Sequence, residues 1–206
     1  MFEEALVGRT KDHLALLGRS GLFKDAYLAG VTAVSLQLGH RISVDFDFFT
    51  RRDFTPRTFA TELAELGSFK EEQADRGTVL GTFKGVKLSL FLYDHPLIDA
   101  FVPYLNLKLA GLRDIAAMKI DAIGSRGAKR DFIDVYFICQ SGYSLSDLLG
   151  FYKQKYGRLV SNLFHVQKSL AYFDDAEKED TPQMLKKTGW EEIRQYFVDE
   201  VKKLAH

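Results

Sequence analysis

The chain has 206 residues, 46% hydrophobic and 13% aromatic, which suffices for the core of one domain or of two small ones. Its 28 basic and 28 acidic residues cancel, which excludes a uniformly basic nucleic-acid coat but leaves room for a local basic patch. One cysteine, Cys139, excludes an intramolecular disulfide and a cysteine-rich zinc site. Acidic Glu3 and Glu4 stand where a signal peptide carries basic residues, and no apolar run approaches the roughly 20 residues that span a bilayer. A cytoplasmic protein with no membrane partner is expected.

An imperfect amphipathic helix is predicted from Glu3 to Leu17, closed by Gly18 and Gly21. Ala26 to Ala29 reads as a buried strand and Thr32 to Leu38 as a short helix ended by Gly39. Ser43 to Phe49 alternates strictly, as a strand does. Thr55-Pro56 has the form of a helix start, with the hydroxyl as N-cap, and that helix runs to about Leu66. Between Phe69 and Tyr93 the pattern predicts two or three antiparallel strands, with Gly81 and Gly85 as turn residues. Helices are then predicted over Leu112–Ile123, Arg130–Gln140, Ser146–Tyr156, Leu159–Tyr172 and Trp190–Leu204. The expected organisation is an α/β core over residues 1–105 and a helical domain over 106–206 that completes a cleft.

Phe151 to Phe173 carries Lys153, Lys155, Arg158 and Lys168 with no acid, followed by Asp174, Asp175, Glu177, Glu179 and Asp180. This is either a solvated helix face beside a polar loop, or a basic groove for a polyanion with a flexible acidic cover.

The chemistry concentrates in Gly30-Val31-Thr32 and Asp45-Phe46-Asp47. Residues two apart on a strand share a face, so both aspartates project together while Phe46 and Phe48 face a core. Two like charges on one strand face repel, and a divalent cation removes the conflict. A strand that ends at Gly30 and turns into a helix directs backbone N–H groups at a phosphate, with the Thr32 hydroxyl as a further donor. Lys119 shares a helical stripe with Ile115 and Ala116, so it either snorkels to an edge or reaches into a cleft. Asp121 points away from Lys119 and ranks lower. Asp131 suits a helix N-terminus. Asp134, set among apolar neighbours, is either paired with Arg126, Arg130 or Lys119, or catalytic.

Leu28 to Ala33, together with Leu36 to Phe49, resembles the first motif of the AbiEii/AbiGii-type nucleotidyltransferase toxins, within the polymerase-β-like superfamily. Met118 to Ile123, Arg126, and Lys129 to Tyr136 resemble that family's helical motifs, so the likeness covers roughly residues 25 to 140. It implies a polymerase-β-like mixed-sheet core followed by a C-terminal helical bundle. The implied activity is transfer of a nucleoside monophosphate from a nucleoside triphosphate to an RNA, tRNA-like, or protein acceptor. Mg2+ or Mn2+ would sit on Asp45 and Asp47. Gly30, Thr32, Arg41, Ser43, Lys119 and Arg126 would bind nucleotide, and Asp45, Asp47, Lys119 and Asp134 would be catalytic. A cognate antitoxin protein is the implied partner.

Two features depart from the family pattern. Val31 stands where relatives commonly carry a second small residue. The strand Val86 to Tyr93 offers Lys87 or Ser89 where a third carboxylate is usual, with Asp94 just past its end as a substitute if the register allows. The alternatives are therefore a nucleotide- or partner-binding protein on the same fold without turnover, and a metal-dependent phosphohydrolase that uses the same carboxylates.

Overall fold

The structure is a computed structural model that describes residues 1–157 and 163–204. After a 3-10 turn at Glu3–Ala5, α1 spans Thr10–Ser20, β1 Ala26–Leu28, α2 Gly30–Leu38, β2 Asp45–Thr50 and α3 Pro56–Leu66. There follow β3 (Phe69–Asp75), β4 (Thr78–Phe83), β5 (Val86–Leu92), β6 (Val102–Tyr104) and β7 (Leu107–Leu109). The helical half comprises α4 (Leu112–Arg126), α5 (Lys129–Gln140), α6 (Leu145–Tyr156), α7 (Leu163–Ser169), α8 (Asp174–Glu177) and α9 (Trp190–Leu204). Among the described residues no helix is long and apolar enough to cross a membrane.

The strands form one mixed sheet in the order β3-β4-β5-β2-β1-β7-β6. β2 lies parallel to β5 and antiparallel to β1, with Phe46 beside Leu88, Asp47 beside Ser89 and Phe48 beside Leu90. Period-2 geometry then sorts the side chains. Phe46, Phe48, Leu88, Leu90, Val79 and Phe83 are buried on one face. There α3 contributes Phe59 and Leu63, and Phe23 bridges Phe59 to Phe48. The opposite face presents Asp45, Asp47, Phe49, Ser89 and Phe91 towards the helical half. Burial of each large core side chain contributes roughly 1.5–3 kcal/mol, so the alternation of β2 strongly fixes its register.

The predicted elements form with shifted ends, except that residues 159–162 of the helix expected over Leu159–Tyr172 lie outside the described residues. The first helix splits into a turn and α1, which Gly21 closes in the left-handed conformation. Gly39 does the same for α2, its N–H donating to the Ser35 carbonyl at 2.7 Å. Thr55 precedes α3 as expected, but its hydroxyl makes no capping hydrogen bond. Gly81 is not a turn residue. It lies within β4, where a Cβ would meet the Lys70 carbonyl oxygen at 2.4 Å. Gly85 does turn the β4–β5 hairpin. The sheet continues through the unpredicted β6–β7 hairpin, which straddles residue 105.

α4 is the centre of the helical half, against α5, α6, α7 and α2. α9 packs on α5 through the edge-to-face pairs Phe132–Phe197 and Tyr136–Tyr196. A reciprocal capping box between Ser144 and Asp147 starts α6.

Candidate active site

A cleft of about 790 Å3 opens between the polar sheet face and the helical half. One wall holds Gly30, Val31, Asp45, Asp47, Phe49 and Phe91. The other holds Ile115, Met118, Ala122 and Ser125 of α4, flanked on one side by Lys119 and Arg126 and on the other by Asp121. The chain returns through Glu179, Asp180, Pro182 and Gln183 to form the rim.

The turn from β1 into α2 sets the first wall. Ala29 donates its N–H to the Asp47 carbonyl at 2.9 Å, which carries the chain across β2 before the helix begins. Gly30 has φ of +59°, and a Cβ there would stand 2.6 Å from Asp47 Oδ2. Only glycine accommodates both the left-handed backbone and the adjacent carboxylate. Asp45 and Asp47 have no ion-pair partner among the described residues. Burial, joined by the neighbouring Asp45 charge, raises the Asp47 carboxyl above its ordinary value, and the Ser89 hydroxyl opposes that rise.

Five charged side chains and His40 form one network beside the cleft. Arg41 grips Asp134 with two parallel hydrogen bonds, Nε to Oδ1 at 2.7 Å and Nη2 to Oδ2 at 2.9 Å. His40 Nε2 lies 2.8 Å from the same Oδ1, and Lys119 Nζ lies 2.6 Å from Oδ2. Lys119 also donates to Asp131 at 2.8 Å, and Arg126 Nε reaches the other Asp131 oxygen at 2.8 Å. Asp131 and Asp134 are fully buried. Burial alone raises both carboxyls, but Arg41 and Lys119 hold Asp134 well below the usual carboxylate range, and Lys119 with Arg126 lowers Asp131. Burial depresses the His40 imidazole against the pull of Asp134. The network holds Lys119 and Arg126 against the aspartates of α5, and both charges pull the Asp47 carboxyl downward. Arg126, whose side chain is 53% exposed, is the member most open to the cleft.

Several expected site residues therefore have other placements. Thr32 and Ser43 are buried, and their hydroxyls bond each other while Thr32 also donates to the Asp45 carbonyl. They brace β2 from behind and offer nothing to a phosphate. Arg41 holds Asp134 through Nε and Nη2 while it also lines the cleft, and the Asp134 carboxylate is sealed within the network. Asp94 is 82% exposed and faces Arg51 at 3.5 Å, so it does not stand in for a third carboxylate. Ser89 occupies the place beside Asp47 instead.

Lys155 is buried within a supposedly basic surface, donating to Asp114 at 2.7 Å and to the Pro96 carbonyl at 2.9 Å. Arg158 lies outside the described residues. The acidic segment is no loose cover. Lys129 Nζ donates to the Glu179 carbonyl at 2.5 Å, its backbone N–H donates to the Glu179 carboxylate at 3.0 Å, and Met184 pairs with Arg41 in an antiparallel bridge.

Asp131 and Asp121 also line the cleft. Asp131 lies one turn before Asp134 on α5, and that i, i+3 spacing lets both share Lys119. Asp121 does diverge from Lys119 on α4, yet both flanks of that helix open into the cleft, and burial raises the Asp121 carboxyl.

Two adjacent carboxylates without counter-ions suit Mg2+, which binds through one or two carboxylates and takes its remaining ligands from water and phosphates. No group of three or more His, Cys, Asp or Glu is placed to hold a metal among the described residues. Asp45 and Asp47 therefore fit an ion shared with a phosphorylated substrate rather than an all-protein cage.

Fold and cleft together define an α/β protein of nucleotidyltransferase-like architecture. JHP933 from Helicobacter pylori superposes with a TM-score of 0.57 at 17% identity, over 94% of this chain and 92% of that one. An H. pylori protein described as a candidate nucleotidyltransferase gives 0.57 at 18% identity, over 94% and 95%. No protein-family model matches the sequence. The uncharacterized protein aq_aa25 of Aquifex aeolicus (strain VF5) is 35% identical over 187 residues, 88% of this chain and 89% of that protein. The chain belongs to the same family as this Aquifex protein.

Proposed function

We propose that the chain is a metal-dependent nucleotidyltransferase of the AbiEii/AbiGii type. The observation that carries this reading is the unpaired Asp45 and Asp47 beside the Gly30 backbone, facing Lys119 and Arg126 across one cleft. Asp45 and Asp47 would hold Mg2+ or Mn2+, which when bound neutralises phosphate charge and orients the triphosphate. The start of α2 at Gly30 directs backbone N–H groups at phosphate oxygens. Lys119 and Arg126, fixed by Asp131, stabilise the negative charge that builds on the departing pyrophosphate. An acceptor hydroxyl oxygen forms the new bond to the α-phosphorus and gives up its proton to water, the α–β anhydride bond breaks, and pyrophosphate leaves.

The reading includes an RNA acceptor, a toxin-like role countered by an antitoxin, and a cytoplasmic location. It rests there on the motif resemblance. The test is incubation of the protein with each α-labelled nucleoside triphosphate, Mg2+ and an RNA pool, scoring label transfer and pyrophosphate release. Asp47→Asn should abolish both. Ser89 beside Asp47 favours a second reading, a nucleotide-binding protein without turnover, for which triphosphate binds and no pyrophosphate appears with any acceptor.

A further inference from the structure

A second cavity, of about 450 Å3, is lined by Arg9, Asp12, His13, Leu16, Arg19 and Lys84. It lies on the other side of the sheet from the cleft. His13 packs edge-on against Phe83, which belongs to the buried face with Phe46 and Phe48. The helical residues form one stripe down α1, and Lys84 faces them from the β4–β5 turn, where its own backbone is left-handed at φ of +49°. Three permanent cations thus meet one acid. Asp12 lies 3.8 Å from Arg9, and both side chains are mostly exposed, so that pair neutralises little. Arg19 and Lys84 have no ion-pair partner among the described residues.

We propose that this cavity is a phosphate-binding site, separate from the cleft, which Arg9, Arg19 and Lys84 hold by charge, with the His13 ring in its wall. Burial lowers the His13 imidazole, and the Arg9 and Lys84 charges lower it further against Asp12, so an arriving anion reverses the larger electrostatic contribution. The phosphate can come from a free anion or from a nucleic-acid backbone. The stripe from Arg9 to Arg19 runs roughly 15 Å along the helix, longer than one phosphate, which favours the backbone. That source rests on the RNA-acceptor reading above; the anion site itself does not.

The test uses the whole protein without nucleotide or metal, so it is independent of turnover. The His13 imidazole is titrated by NMR in the wild type and in Arg19→Ala/Lys84→Ala, alone, with inorganic phosphate, and with a short single-stranded RNA. RNA affinity is measured across salt concentrations in both proteins, and a thermal melt verifies that the variant folds. The expected result is a His13 pKa raised by RNA in the wild type only. The slope of log affinity against log salt should be shallower in the variant by about 1.4, about 0.7 for each cation removed. If phosphate raises the His13 pKa while RNA affinity ignores both substitutions, the site stands as a free-anion site and the backbone source fails. A His13 pKa that neither probe moves overturns the proposal.

Discussion

Asp134→Asn is the most informative single change in the charged network. The wild-type carboxylate is fully buried and receives Arg41 at 2.7 and 2.9 Å, His40 at 2.8 Å and Lys119 at 2.6 Å. Asparagine keeps one acceptor oxygen and turns an NH2 donor towards a cation that is itself a donor. Two charge-assisted bonds are lost, each contributing about 1.5–3 kcal/mol, and the buried Arg41 guanidinium is left without its counter-charge. A broken buried pair costs about 3–5 kcal/mol, in agreement with that sum. For a chain of this size each kcal/mol lowers Tm by roughly 2–4 °C, so a fall of roughly 6–20 °C is expected at neutral pH. Because the folded Asp134 carboxyl titrates below its unfolded value, its contribution is complete above the ordinary aspartate value of 3.8 and disappears as pH falls through the folded value. The gap between the two proteins should therefore narrow only below about pH 4. Urea melts at pH 7 and pH 3 measure both effects. A neutral-pH loss under about 1 kcal/mol would falsify the assignment of Asp134 as the anchor of Arg41 and Lys119.

Three other substitutions probe the remaining parts. Gly30→Ala forces a Cβ into the space of Asp47 Oδ2 at φ of +59°, so Mg2+-supported nucleotide affinity should fall while the melt shifts by only about 1–2 kcal/mol; unchanged affinity by calorimetry counts against the placement. Ser89→Ala removes a group that lowers the Asp47 carboxyl, so loss of Mg2+ binding on acidification should begin at a higher pH than in the wild type; coincident pH profiles contradict the contact. Lys155→Met leaves the buried Asp114 carboxylate facing only the Ile98 and Asp99 N–H groups, which should cost about 3–5 kcal/mol in a denaturation series and leave RNA affinity unchanged. A variant with normal stability and weakened RNA binding would return Lys155 to the surface.

The parts legible in the sequence were those with local causes. The alternation from Asp45 to Phe49 placed two carboxylates on one face because the strand period is a property of neighbouring residues. Gly39, Pro56 and the Lys119 stripe were similarly readable. What stayed hidden depended on distant partners. Arg41 looked free because its counter-ion Asp134 is 93 residues away, and Lys155 looked exposed because Asp114 is 41 residues away. The acidic segment through Glu179 reads in the sequence as a polar loop or a flexible cover, since its bonds to Lys129 leave no local pattern. Thr32 was given to a phosphate because a hydroxyl after a glycine turn suits that task equally well in isolation. Only the packing of α2 on β2 turns it inward.

The reading of the cleft stands on Asp45 and Asp47 as a shared cation site beside the Gly30 turn. Its most direct test is calorimetric titration of each nucleoside triphosphate, with and without Mg2+, into the wild type and Asp45→Asn/Asp47→Asn. The expected result is binding that requires Mg2+ in the wild type and vanishes in the variant while the fold survives. Triphosphate binding that ignores both the metal and the two aspartates would contradict it.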